Sequence, residues 1–141
     1  MTGADTIARH VEQLRLYLER LAELQQYSRE ALKSDWHVQS MVERNLQLAI
    51  EAVVSIAEQV IAILSLPTPQ SGREALSALA DAAVLTRDLA NALGQAVGFR
   101  NIIVHQYMDI DYDLVYEALQ SDLGDLNAFL IAISVFLQQQ P

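Results

Sequence analysis

Arg100, Asn101, His105 and Tyr107 crowd a cation, an amide, an imidazole and a phenol into eight positions around the apolar run Ile102-Ile103-Val104. A histidine titrates near neutrality and can take or give a proton at physiological pH. An arginine presents a permanently charged fork that fits a phosphate and steadies charge growing on its oxygens. Together these types suit cleavage of an RNA phosphodiester, in which the 2′-hydroxyl loses a proton and the leaving 5′-oxygen gains one. Arg100 would hold the phosphate, His105 would move the protons, and Asn101 would orient the imidazole or the phosphate. Internal attack leaves a 2′,3′-cyclic phosphate and requires no metal and no cofactor.

Geometry limits how these groups meet. On a regular helix, at about 100° per residue, Arg100 and Tyr107 fall nearly in line and Asn101 neighbours His105. Arg100 and His105 stand about 140° apart. They converge if the helix ends or distorts here, or if two copies face each other across a two-fold axis. The second route makes a composite site in a homodimer. The competing structural reading is a helix-end cluster whose polar groups are satisfied locally. Chance placement of this Arg, His and Tyr spacing in a chain of this composition is ~0.006, which favours a functional motif.

The elements that must position the motif are helices. Ile7, Val11, Leu14, Leu18 and Leu21 recur at steps of three and four and predict a first helix over 5–33, capped by Asp5 or Thr6. Its solvated face pairs Arg15 with Glu19 and Arg20 with Glu23. A second helix is expected over 34–66, with Trp36 as a packing anchor near its start. Its polar stripe, Arg44, Gln47, Glu51, Ser55 and Glu58, is either a solvated face or the edge of a cleft or subunit contact, to which Glu43 also belongs. Glu51 and Glu58 also argue against a membrane span. Pro67 and Pro69 end this helix.

Ser71 and Glu74 form a capping box for a short helix carrying Leu76, Leu79 and Ala83. Thr86 caps the helix that buries Leu89 and Leu93 and leads into the motif. Gly94 and Gly98 put a small-residue groove on that helix, suited to a second backbone. Asp111 caps a last helix over 112–138, whose face is Val115, Leu119, Leu123, Leu126, Leu130 and Ile133. The expected fold is all-α: one domain over 1–141, an antiparallel bundle of four to five helices.

Composition sets outer bounds. The 141 residues carry a net charge of −9 and no cysteine, so disulfides and thiolate metal sites are excluded. The acidic balance weakens broad electrostatic attraction to nucleic acid, though not a local basic cleft. The start, Met1-Thr2-Gly3-Ala4-Asp5, lacks a signal peptide's basic and apolar regions, which points to the cytoplasm. His10 and His37 read as surface residues.

The Arg100, His105, Tyr107 spacing resembles the signature of the HEPN superfamily in its HepT-like toxin branch. The segment from Val42 to Ala52 is similar to that branch's second-helix segment, and Val115-Tyr116-Glu117-Ala118-Leu119 to its closing helix. The resemblance implies a dimeric helical ribonuclease toxin, paired with an MntA-type minimal nucleotidyltransferase antitoxin. It implies Arg100 and His105 as catalytic and Tyr107 as the residue the antitoxin adenylylates. Glu43 and Arg44 match the family segment as cleft or interface residues. The alternative is a non-catalytic HEPN module that only binds a nucleotidyltransferase.

Overall fold

The computed structural model describes residues 3–105 and 110–140, with the side chains of 102–105 excepted. Among them are six helices and no strand: α1 Gly3–Leu24, α2 Arg29–Ser34, α3 Trp36–Ile63, α4 Gly72–Asp81, α5 Arg87–His105 and α6 Tyr112–Gln138. The four long ones, α1, α3, α5 and α6, form the bundle. Gly3 at the start of α1 abuts Ile63 at the end of α3, and Gln25, just past α1, bonds to the Leu119 carbonyl of α6. Arg100 of α5 meets Glu51 of α3, while Gly72 touches both Val54 and Val97. These pairings run α1 and α5 antiparallel to α3 and α6.

The predicted apolar faces are the ones buried. Ile7, Val11, Leu14, Leu18 and Leu21 of α1 turn inward, as do all six predicted positions of α6. They meet Val42, Leu46, Ile50, Val53 and Ile56 of α3, which touches every other helix. Each fully buried aliphatic side chain stabilises the fold by roughly 1.5–3 kcal/mol before entropy is counted. By length and apolar composition α3 and α6 could each cross a membrane, but half of the most apolar window of α3 is packed inside this bundle.

The single helix expected over 5–33 is two. Ser28 adopts extended backbone and its hydroxyl accepts from the Ala31 amide, starting α2 afresh. That side-chain bond competes with continuing the helix and wins. α1 also begins earlier than expected, so Asp5 lies in its first turn rather than at a cap, where its charge complements the helix dipole. Arg15 pairs with Glu12, not Glu19.

Trp36 is 66% exposed and stacks on His37 with ring centroids 3.8 Å apart. It anchors nothing in the core, because it follows the cap Asp35 on the polar face of α3. His10 is half-buried and bonds to Gln59 at 2.9 Å.

The expected caps at Ser71, Thr86 and Asp111 each accept an amide from the following turn. α3 ends before its prolines: the Leu66 amide reaches the Ile61 carbonyl and Ser65 takes a left-handed φ of 56°. α4 ends the same way on Ala83, at φ 62°. Ala83 is therefore an exposed terminator, not a core residue; Leu85 fills the core there instead. Leu89 is half-buried and Leu93 buried. Gly72 is the glycine that close approach requires: a Cβ there would stand 3.0 Å from Val54 and 3.2 Å from Val97.

Candidate functional site

Arg100 continues the inward stripe of α5 set by Leu93, Ala96 and Val97. A helix places residues three and four apart on one face, so the guanidinium is delivered toward α3 rather than toward water. Its side chain is 23% exposed, and Nη1 lies 3.6 Å from Glu51 Oε1. Gln47, one turn earlier on α3, donates Nε2 to the same carboxylate oxygen at 3.1 Å. A hydrogen bond from Gln47 on α3 and the ion pair with Arg100 on α5 thus hold Glu51, and Glu51 in turn orients Arg100. The Nε of Arg100 is buried and has no hydrogen-bond partner among the described residues.

The polar stripe of α3 is accordingly more than a solvated face. Its Glu51 reaches the motif, an assignment the spacing on α3 left open. Glu43 lies two turns earlier and accepts from the Tyr112 hydroxyl at 3.3 Å, linking α3 to the start of α6. Burial pushes the Glu43 carboxyl up, with the Tyr112 bond partly opposing it. Burial likewise pushes the Tyr112 phenol up, and the Glu43 charge adds to this. Arg44 and Asn101 are exposed. The backbone of His105 closes α5; its side chain, and Tyr107 entirely, lie outside the described residues.

α5 is helical from Arg87 through His105. The backbone positions of Arg100 and His105 therefore do diverge by about 140°. Arg100 occupies the α3 side, and the His105 position falls on the face shared by Gly94, Gly98 and Asn101. The glycine groove does not receive another backbone. It receives the Arg73 side chain from α4, whose Nε donates to the Gly94 carbonyl at 2.7 Å. Sequence spacing flagged the groove but gave no sign of its occupant. Among the described residues no group of three His, Asp or Glu side chains is arranged to hold a metal ion.

This arrangement can hold an anion at Arg100 and presents a second set of polar positions on the other side of the same helix. The sequence matches the family model described as Ribonuclease HepT-like over residues 14–133. It is 36% identical over 101 residues to the mRNA nuclease HepT of Shewanella oneidensis, covering 72% of this chain and 76% of that protein. It is 28% identical over 131 residues to the tRNA nuclease HepT of Aphanizomenon flos-aquae, covering 93% of this chain and 89% of that one. A solved structure of the tri-AMPylated Shewanella oneidensis HEPN toxin in complex with MNT antitoxin is similar with a TM-score of 0.86 and 30% identity, over 96% of this chain and 99% of that one. The helical bundle and a family match across most of the chain agree: this protein belongs to the HepT-like ribonuclease family, within the HEPN toxins.

Proposed function

We propose that this chain is the toxin of a toxin–antitoxin pair and cleaves RNA as a metal-independent endoribonuclease in the cytoplasm. The observation that carries the reading is the Arg100 guanidinium, oriented by Glu51 and with a buried Nε free of acceptors among the described residues. A buried donor left unpaired costs about 1–3 kcal/mol, so an arriving phosphate oxygen is favoured there. Two relatives carry the names mRNA nuclease HepT and tRNA nuclease HepT, which supports RNA as the substrate class.

Arg100 binds the scissile phosphate and offsets its growing charge. His105 transfers protons at the 2′- and 5′-oxygens, and Asn101 orients the imidazole or the phosphate. Because α5 stays helical through His105, convergence across a two-fold axis is the more economical route, and a homodimer supplies it. Arg100 of one copy would then face His105 of the other, with Glu43 and Arg44 at the cleft or interface. The partner is an MntA-type nucleotidyltransferase antitoxin, as the complex of the Shewanella toxin with MNT antitoxin supports. Adenylylation of Tyr107 puts a phosphate charge and bulk beside Arg100 and His105, where it competes with RNA. The tri-AMPylated state of that relative supports such control.

The test is cleavage of end-labelled RNA in EDTA by wild type and His105→Ala, with product ends identified. The expected result is 2′,3′-cyclic phosphate ends from wild type and no cleavage by a folded His105→Ala protein. No cleavage by wild type whose Tyr107 is unmodified by intact mass would instead favour a non-catalytic module that binds the nucleotidyltransferase. The net charge of −9 is the feature on that side.

A further inference from the structure

A second guanidinium lies on the opposite side of α5 from Arg100. Arg73, in the first turn of α4, reaches across to α5 and donates its Nε to the Gly94 carbonyl at 2.7 Å. Its Cγ stands 3.6 Å from where a Gly94 Cβ would be, and its Nη2 3.5 Å from a Gly98 Cβ. A Cβ at either glycine would stand in ordinary van der Waals contact with the arginine side chain. The two glycines thus seat Arg73 flat along the helix. The bond uses Nε alone, and both Nη groups lack a hydrogen-bond partner among the described residues.

The seat belongs to an open recess of about 400 Å³ lined by Arg73, Ser77, Ala90, Asn91, Gly94 and Gln95. Its lining holds one cation, one hydroxyl and two amides, and no carboxylate. In a chain with 18 acidic residues against 9 basic ones, that makes it a local anion-seeking surface. Ser77 is also bonded by Arg87, whose guanidinium is paired with Asp81 beside the recess, so Arg73 is the cation left to meet an anion there.

Helical register connects this recess to the motif. Asn91, Gly94, Gly98, Asn101 and the His105 backbone position fall within about 80° of one another around α5. They form a single track about 21 Å long at 1.5 Å per residue. Arg73 lies on this track over Gly94 and Gly98, about 10 Å from the His105 position measured from Gly98 along the helix. One or two nucleotides of extended single strand span that distance.

We infer that Arg73, with Asn91 and Gln95, binds a backbone phosphate of single-stranded RNA one or two nucleotides from the bond cleaved at His105. This rests on the ribonuclease reading and deepens it. A phosphate contact of this kind positions the strand without reading its sequence. Arg73 is a positioning residue: it acts on binding, not on the reacting atoms.

The experiment measures cleavage kinetics for wild type, Arg73→Gln and Gln95→Glu. It also measures RNA affinity and its salt dependence in the His105→Ala background. Gln95 is exposed and lines the same recess as Arg73, so Gln95→Glu places a repelling charge there with almost no change in volume. The expected result for both variants is a KM raised about five- to tenfold with kcat within about twofold, and an Arg73→Gln salt slope smaller by about one. Unchanged KM and affinity in both folded variants would overturn the inference while the nuclease reading stands, whatever happens to antitoxin binding. RNA binding that depends on Arg73 in a protein that does not cleave would uphold the phosphate contact and overturn the nuclease. Absence of both binding and cleavage overturns both.

Discussion

Replacing Glu51 by glutamine removes a charge and almost no volume. The Gln47 amide can still donate to the new side-chain oxygen, so packing on α3 is kept. What is lost is the ionic attraction across 3.6 Å to Arg100. In bulk water that attraction is about 1 kcal/mol, and near a protein surface with a higher effective field it is about 4–5 kcal/mol. Arg100 is 23% exposed and Glu51 42%, so screening pulls the net value well below the upper figure. About 1–2 kcal/mol is a reasonable expectation, or a Tm lower by roughly 3–8 °C in a domain of this size.

The same energy biases Arg100 toward one orientation. Its loss should lower kcat for RNA cleavage by about five- to thirtyfold. Arg100→Ala, which deletes the phosphate contact itself, should cost about a hundredfold or more. Thermal melts and cleavage assays in EDTA on the two variants separate these outcomes. A Glu51→Gln protein with wild-type Tm and wild-type kcat would refute the claim that Glu51 holds Arg100. A faster Glu51→Gln protein would also refute it, since the carboxylate would then be competing with the substrate phosphate.

Glu43 gives a pH-dependent prediction. Burial raises its carboxyl above the ordinary glutamate value, so it contributes stability below that value and loses it as pH rises through the raised one. Glu43→Gln should therefore flatten the denaturation midpoint across the mildly acidic range and leave stability at neutral pH equal or higher. Ala83→Gly relieves a left-handed φ of 62° and should stabilise by about 0.5–1 kcal/mol, read as a shift in urea midpoint at constant m. Trp36→Ala should change stability by less than about 0.5 kcal/mol, because the indole is largely exposed and stacks on His37; a loss of several kcal/mol would restore it as a core anchor.

Periodicity and capping alone determined the helical class, the buried faces of α1 and α6, and the starts at Ser71, Thr86 and Asp111. Those features are local: a face needs only spacing, and a cap needs only one side chain near its own amides. The motif spacing also identified the family, because Arg100, His105 and Tyr107 stand in one short segment. Tertiary structure decided the rest. Ser28 is the exception: a local cap bond to the Ala31 amide, three residues on, broke a helix its flanking residues would have continued. Trp36 faced water because its position on α3, not its size, set its exposure. The polar stripe on α3 became the grip on Arg100 only when α5 crossed it, and the glycine groove on α5 met its occupant only when α4 laid Arg73 across it. These last two contacts join residues 49 and 21 apart in the chain, a distance over which a sequence records the residue types but not which of them will meet.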